Sequence, residues 1–247
     1  MHYTGAEIHV EALALIPAHN EADSLPAVLA ALRAAQPDMA VVVVDDASGD
    51  GTRDVAAASG AVVIRLCERL GVGGAVKAGL RYAERRGFDV VVRIDGDGQH
   101  PAEEVGRLIE PVAAGRADAV VGSRFGDGRQ PGEGRSFRRF AQRGLAAWLS
   151  AATGVRVTDP TSGFWAFGPK AMRLLVSYHP EGYPEPELLM LLPHCGLRVA
   201  EVPIRMNKRL AGRTTLTAGR LGLACATIAL ALVVAPWRSA AGRVSDG

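Results

Sequence analysis

The chain has 247 residues, 48% of them hydrophobic and 22% charged. This composition excludes a wholly disordered protein, and the length allows a large buried core. The formal net charge of +2 gives no indication of a nucleic-acid partner, and we expect none. Basic residues are concentrated at 123–143 and 205–213, which predicts either a solvated face or a surface for a polyanionic ligand or for lipid headgroups.

Short valine-rich segments alternate with helical patterns, which is typical of an α/β protein with a mainly parallel sheet flanked by helices. The predicted strands are 12–18, 39–46, 61–66, 90–95 and 118–124, and the helices between them are 24–35, 52–59, 73–86 and 101–114. Beyond residue 124, a Gly-rich charged segment predicts a mobile loop. The elements predicted after it are helices at 136–153, 169–175 and 185–192, a turn-like segment at 158–167 and a short strand at 197–204.

The end of the chain contains an uninterrupted apolar run from Leu221 to Ala235. As a helix it would be about 22 Å long, whereas the hydrocarbon core of a membrane is about 30 Å thick. We therefore expect a helix that anchors on the membrane surface, packs on the domain or docks a small membrane partner, rather than a full span. This divides the chain into an α/β domain at 1–215 and an apolar helix with its tail at 216–247.

The three cysteines, Cys67, Cys195 and Cys225, lie far apart in apolar contexts. Their spacing fits neither a zinc site nor a disulfide framework, so we expect reduced core residues in a cytoplasmic chain. The first residues of the chain also lack the pattern of a secretory signal.

Polar residues follow four of the predicted strands, at 19–21, 45–46, 95–99 and 123–124. Because ligands of open α/β sheets bind beyond the carboxyl ends of the strands, we expect these residues to form one crevice.

One of these strand ends has the residues of a metal site. Asp95 and Asp97 would point to the same side if the extended backbone continued past Asp95, with Gln99 next on that side. Carboxylate and amide oxygens suit Mg²⁺ or Mn²⁺, which take further ligands from a substrate diphosphate. An ordinary Asp-Gly turn is the alternative. We expect His100 to be a turn residue at the rim of the crevice.

Two other strand ends have acidic residues that suit a nucleotide. Asp45 and Asp46 close the second strand, where a carboxylate can accept hydrogen bonds from ribose hydroxyls or a base N–H group. Helix capping by residues 48–50 is an alternative, although it does not explain two consecutive acids. Asn20 and Glu21 present polar groups to the same crevice, and the alternative for Glu21 is a helix N-terminus.

A series of motifs follows in one order along the chain: "PAHNE", "VVDDASGDGT", "LGVGGAVKAG", "RIDGDGQHP", "VGSRF", "DPTSGFWAF", "YPEPE", "EVPIRM" and "RLAGRTT". The glycines of the third motif lack the spacing of a P-loop or a dinucleotide fingerprint, which excludes ATPases and dehydrogenases. Over roughly residues 12–215, this order resembles the family 2 glycosyltransferases with the Rossmann-like GT-A fold. The resemblance is closest to the branch that contains dolichyl-phosphate mannose synthases and other polyprenyl-phosphate glycosyltransferases.

The resemblance implies an inverting, metal-dependent transfer of a sugar from a GDP- or UDP-linked donor to a polyprenyl phosphate. It places the enzyme at the cytoplasmic face of the cell membrane, with Mg²⁺ or Mn²⁺ as the cofactor. The nucleotide sugar would contact Pro17, Ala18, Asn20, Glu21, Asp45, Asp46, Lys77 and Asp95, and the metal would contact Asp95, Asp97 and Gln99. The catalytic residues would be Asp97, Arg124, Arg209 and Glu185, and the acceptor would meet Arg138, Arg139, Ser162 and Gly163. In one departure from the family pattern, Gln142 stands where the mannose synthases place a serine after their arginine pair.

The acceptor remains open at this stage. A polyprenyl phosphate is already anionic and needs no strong base, whereas a hydroxyl of a lipid-linked or cell-surface polysaccharide needs a carboxylate to take its proton. Glu185 and Glu187 are the candidates for that base, with the first turn of a helix as the alternative role of both. A non-enzymatic nucleotide- or sugar-binding subunit is a third hypothesis, and the presence of Asp97, Gln99 and Arg124 argues against it.

Overall fold

The computed structural model describes residues 10–125, 137–178 and 184–207, without the side chains of 137–141 and 184. The strands are β1 (Ala12–Ala18), β2 (Ala40–Asp45), β3 (Val62–Arg65), β4 (Val90–Arg93), β5 (Ala119–Ser123), β6 (Trp165–Phe167) and β7 (Val199–Pro203). The helices are α1 (Leu25–Ala35), α2 (Thr52–Ala58), α3 (Gly71–Arg86), α4 (Val105–Ala113), α5 (Phe137–Thr153), α6 (Pro169–Ser177) and α7 (Pro184–His194). A short 3-10 turn at Ala102–Glu104 precedes α4.

The strands form one sheet in the order β3-β2-β1-β4-β6-β5-β7. All neighbours pair in parallel except β6, which is antiparallel to both β4 and β5. The predicted α/β class with a mainly parallel sheet is therefore confirmed. The central strands are valine-rich because helices cover the sheet on both faces.

Alternate residues of each strand belong to two different layers of the core. In β1, Leu13 and Leu15 pack in a cluster with α3, α5, α6 and α7. Ala14 and Ile16 pack in a second cluster with α1, α2 and α4. This alternation follows from the two-residue repeat of a strand, and it makes the domain a three-layer α/β/α structure.

The prediction that segment 158–167 is a turn is wrong for its last three residues, which form β6. Trp165 lies opposite Arg93 of β4 on one side and Val121 of β5 on the other. A strand of three residues has almost no pattern of its own, so pairing with two neighbours decides its conformation. Because β6 is antiparallel, residues 158–164 before it lie at the carboxyl edge of the parallel strands.

Several predictions fail where elements end. Strand β4 ends at Arg93, and Asp97 lies in a turn, so the extended backbone that would aim Asp95 and Asp97 together does not persist. Cys67 and Cys195 are exposed rather than in the core. They follow β3 and α7 respectively, in connections at the surface.

Among the described residues, no helix is long and apolar enough to cross a membrane. The predicted apolar helix at 221–235, the domain boundary at 215, Cys225 and most of the predicted loop after residue 125 lie outside the described residues.

Helix α3 packs closely on β1 at Gly79. A Cβ atom built on Gly79 would overlap the side chain of Leu15, with its Cδ2 atom only 2.8 Å away. Both residues are buried, so neither can move into solvent. The absence of a side chain at Gly79 therefore sets the distance between helix and sheet.

We expect Gly79→Ala to lower the free energy of unfolding by about 1–3 kcal/mol, because overpacking outweighs the helix-favouring effect of removing a glycine. The matched control is Gly144→Ala in α5, where an added Cβ would meet nothing within 4 Å. This control should gain about 0.4–1 kcal/mol. Urea denaturation measures both, and a stabilised Gly79→Ala variant would contradict the packing described here.

Candidate active site

The carboxyl ends of the parallel strands and the segment before β6 lie at one edge of the sheet. The connections at this edge are 19–24 after β1, 46–51 after β2, 66–70 after β3, 94–101 after β4, 124–125 after β5, 158–164 before β6 and the described residues 204–207 after β7. The segment before β6 joins the edge because β6 runs in the opposite direction. The predicted polar strand ends therefore lie close together. Residues 158–164 lie beside them, whereas in a purely parallel sheet this segment would lie at the opposite edge.

Asn20 ties the connection after β1 to the connection after β2. Its backbone N–H donates to Oγ of Ser48 at 3.0 Å, and its Oδ1 accepts from the backbone N–H of Gly49 at 2.9 Å. Asn20 has φ of 55°, a left-handed conformation that asparagine tolerates better than most residues. The residue thus orders both connections beside the crevice.

Asp45 and Asp46 are buried and bind backbone N–H groups. Oδ1 of Asp45 accepts from the N–H of Ser48 at 2.9 Å. The two carboxylate oxygens of Asp46 accept from the N–H groups of Leu70 and Gly71 at 2.7 and 2.8 Å, which caps the start of α3. Helix capping, the alternative for residues 48–50, is found at Asp50, whose Oδ1 accepts from the backbone N–H of Thr52 at 3.0 Å at the start of α2. Asp46 in addition caps a helix that starts 25 residues later.

The other residues predicted to meet the nucleotide differ in exposure. Pro17 and Lys77 are half-buried in β1 and α3, whereas Ala18 is buried. The carboxylate of Glu21 accepts from Oγ of Ser24 at 2.6 Å just before α1, which agrees with its alternative role at a helix start. The side chains of Arg138 and Arg139, and all of Arg209, lie outside the described part of the chain.

Arg93, at the end of β4, is a buried cation between two carboxylates. Its Nε and Nη2 atoms lie 3.2 and 3.1 Å from Oδ1 of Asp95, and its Nη1 atom lies 2.9 Å from Oε1 of Glu185 in the first turn of α7. A Cβ on Gly163 would lie 2.8 Å from Oδ2 of Asp95 and 3.0 Å from Nη2 of Arg93. Glycine at 163 therefore leaves room for the ion pair of Arg93 with Asp95. Arg93 was not among the site residues predicted from the sequence, although a lone arginine in an otherwise all-valine strand is a usable signal.

His100 is buried under the site rather than exposed at its rim. Its ring stacks on Phe164 with centroids 4.6 Å apart and an interplanar angle of 7°. The backbone N–H of Asp95 donates to Nδ1 of His100 at 2.9 Å, so the neutral ring carries its proton on Nε2. Burial lowers the pKa of His100 below its ordinary value. The expected rim position is therefore wrong, because the aromatic contact with Phe164 holds the ring in the core.

Asp97 lies in the turn that follows β4 and is only 4% exposed. Its Oδ1 atom accepts from the backbone N–H of Gln99 at 2.9 Å, and the carbonyl of Gln99 accepts from the N–H of Asn207 at 3.0 Å. Within residues 10–125, 137–178 and 184–207, no group of three His, Cys, Asp or Glu side chains is arranged to hold a metal ion. One or two carboxylates nevertheless fit Mg²⁺ or Mn²⁺, since such ions commonly take their other ligands from water and substrate phosphates.

Arg124, directly after β5, forms a bidentate ion pair with Asp159. Its Nε and Nη2 atoms each donate to a carboxylate oxygen of Asp159 at 2.6 Å, and Nη2 also donates to Oγ1 of Thr161 at 2.7 Å. Gln142 of α5 donates to the same hydroxyl at 3.0 Å. Asp159 is fully buried, whereas the Arg124 side chain is 24% exposed. Asp159 and Thr161 were not predicted as site residues, because the residue pattern of their segment indicates only a turn.

Ser162 and Gly163, predicted to shape an acceptor pocket, occupy the segment between Asp159 and β6. The hydroxyl of Ser162 is buried and donates to the carbonyl of Gly122 in β5. The carbonyl of Ser162 accepts from Nε1 of Trp165 at 2.8 Å. Ser162 therefore holds this segment against the sheet.

The buried histidine gives a pH-dependent prediction. Because the pKa of His100 is lower in the folded than in the unfolded chain, the unfolded chain binds more protons below about pH 6.5. The free energy of unfolding should therefore fall as the pH decreases below that value, by at most about 1.4 kcal/mol per unit for this proton. His100→Gln, which keeps an acceptor for the Asp95 N–H, should weaken this dependence. Metal-free urea titrations from pH 7.5 to 5 test it, and equal pH dependence in both proteins would contradict it.

Comparison with known proteins gives a consistent result. The family model described as "Glycosyl transferase family 2" matches residues 14–174. An undecaprenyl-phosphate mannosyltransferase of Micrococcus luteus is 34% identical over 94% of this chain and 98% of its own length. A polyprenol monophosphomannose synthase of Mycolicibacterium smegmatis is 31% identical over 85% and 82%. The solved structure of glucosyl-3-phosphoglycerate synthase from Mycobacterium tuberculosis with phosphoglyceric acid aligns with a TM-score of 0.64 and 25% identity, over 83% of this chain and 74% of that one. The chain therefore belongs to glycosyl transferase family 2 and is a glycosyltransferase with the GT-A fold.

Proposed function

We propose that the protein is an inverting, metal-dependent glycosyltransferase that moves a sugar from a GDP- or UDP-linked donor to a polyprenyl phosphate. The observation that carries the choice of acceptor is the contact of Glu185 with the buried Arg93. This contact engages the Glu185 carboxylate with a cation of the protein itself, and a phosphate acceptor needs no base. The relatives named undecaprenyl-phosphate mannosyltransferase and polyprenol monophosphomannose synthase support the same choice.

In this proposal, Asp97 and Gln99 hold the cation together with Asp95. Since Arg93 engages Oδ1 of Asp95, we assign Asp97 as the main protein ligand. Mg²⁺ or Mn²⁺ supplies positive charge at the donor diphosphate. The nucleotide lies against the connections after β1 and β2, in contact with Pro17, Ala18, Asn20, Glu21, Asp45, Asp46 and Lys77.

Transfer breaks the bond between C1 of the sugar and the diphosphate, while an oxygen of the acceptor phosphate attacks C1 from the opposite face. Negative charge develops on the leaving diphosphate, and we assign Arg124 and Arg209 to stabilise it. The ion pair with Asp159 fixes the direction of the Arg124 guanidinium before substrate arrives. Such preorganisation favours catalysis because no reorientation is needed during the reaction.

We assign Arg138, Arg139, Ser162 and Gly163 to the acceptor side. The first two would bind the acceptor phosphate, and the second two shape the segment before β6. A lipid-linked acceptor also implies work at the cytoplasmic face of the cell membrane, with the chain bound peripherally. The basic segment 123–143 has the charge to contact anionic headgroups.

The metal role of Asp97 has a direct test. Asp97→Asn should lower kcat by at least about 100-fold with Mg²⁺ or Mn²⁺ present, because several kcal/mol of charge stabilisation depend on the cation. The matched control is Asp89→Asn, the same change just before β4 at the opposite edge of the sheet. Transfer from a panel of nucleotide sugars to a short polyprenyl phosphate is the assay. Full turnover of Asp97→Asn would rule out this metal assignment.

The choice of acceptor is tested at Glu185. If the acceptor is a phosphate, Glu185→Gln should reduce kcat by less than about tenfold, since a missing general base costs about 10²–10⁴-fold. The same variant should lose about 1–3 kcal/mol of unfolding free energy, because Arg93 loses a buried partner. Glu187→Gln in the same turn of α7 tests the other candidate base and should likewise cost less than about tenfold in kcat. A loss of 10²-fold or more in either folded variant would favour a hydroxyl acceptor instead.

A further inference from the structure

Glu201 on the edge strand β7 binds the segment that carries Asp159. It lies opposite Val121 of β5 in the parallel register. Its carboxylate accepts from the backbone N–H of Thr158 at 2.9 and 3.0 Å, from Oγ1 of Thr158 at 2.8 Å and from the N–H of Asp159 at 3.0 Å. One carboxylate therefore holds the backbone and a side chain of two consecutive residues.

A chain of hydroxyl groups continues from Glu201 to both neighbours of Arg124. The hydroxyls of Ser123 and Thr158 are 2.6 Å apart, and the backbone N–H of Phe125 donates to Oγ of Ser123 at 3.1 Å. Because Thr158 gives its proton to the carboxylate, Ser123 must donate to Thr158. The directions of the two hydroxyl hydrogen bonds, from Ser123 to Thr158 and from Thr158 to Glu201, thus depend on an acceptor at Glu201.

A second route runs through Asp159. Glu201 fixes the backbone of Asp159, and the carboxylate of Asp159 accepts from Nε, Nη2 and the backbone N–H of Arg124. Arg124 is therefore held by its guanidinium through one route and by its flanking backbone through the other. Both routes end at Glu201.

We propose that Glu201 is a positioning residue that aims Arg124 into the crevice through Thr158 and Asp159. The role that it supports, contact of Arg124 with an anionic group of donor or acceptor, rests on the proposed function. Position 201 requires a side chain that only accepts hydrogen bonds, because three donor groups converge on it. Glutamine has the same shape but presents an NH₂ group to one of those donors. The hydrogen bonds from Ser123 through Thr158 to residue 201 would then reverse their direction or break.

Glu201→Gln is expected to lower kcat by roughly 10–100-fold, because small displacements of a charged group have effects of that size. In an Arg124→Lys background, the same substitution should have little further effect on kcat. An equal fold-loss in both backgrounds would show that Glu201 acts on general stability and would overturn the proposal. The matched control is Asp118→Asn, which removes a carboxylate that accepts from the backbone and side chain of Arg198 at the other end of the β5–β7 pair. It should leave kcat of the folded protein unchanged.

Hydrogen exchange of the Phe125 amide tests the positioning without any turnover. Glu201→Gln should accelerate this exchange at least tenfold relative to wild type, and Asp118→Asn should not. Should Glu201→Gln fail to fold, Thr158→Val removes the hydroxyl link alone and should show the same acceleration with a smaller loss of kcat. Unchanged exchange in the folded variant would overturn the positioning role. The proposed function and the positioning role can fail separately. If wild-type protein transfers no sugar to polyprenyl phosphate while Glu201→Gln still accelerates exchange of the Phe125 amide, the proposed function is overturned and the positioning role stands.

Discussion

The architecture of the site depends on compensating two cations at the carboxyl ends of β4 and β5. Arg93 is 3% exposed and Arg124 mostly buried, and a buried charge requires partners in the low-dielectric interior. Asp95 and Glu185 compensate the first, and Asp159 compensates the second. These pairs bring together the ends of β4 and β5, the segment before β6 and the first turn of α7. The crevice has its shape because the partners must reach these cations.

Most of the acidic residues around the crevice bind donors of the protein itself. Asp45 and Asp46 order the connections on the nucleotide side through backbone N–H groups, and Glu201 orders the segment on the opposite side. Each carboxylate replaces water that the N–H groups would otherwise bind, so the connections keep one conformation. A rigid crevice loses less entropy when it binds a charged donor. The role of these acids in folding and their proposed role in catalysis therefore support one another.

Antiparallel β6 explains why sequence reasoning found one half of the site more easily than the other. The strand ends after β1, β2 and β4 could be predicted because each follows a long apolar run in a parallel sheet. Asp159 and Thr161 precede a strand of three residues whose direction no local pattern indicates. Their partner Arg124 is 35 residues away from Asp159, and the contact exists because β6 inserts between β4 and β5. The motif "DPTSGFWAF" indicated this segment only through the family resemblance.

The amino-acid sequence by itself determined the α/β class, the positions of the longer strands and helices, and the acids at the strand ends. These follow from local periodicity and from the general rule that parallel strands present their carboxyl ends together. Only the tertiary structure decided which side chains pair with which partners: Asp46 with α3, Glu185 with Arg93, Asp159 with Arg124 and His100 with Phe164. Such pairing depends on burial and on distances between segments far apart in the chain, and a charged side chain selects its partner only after the sheet has brought the candidates together.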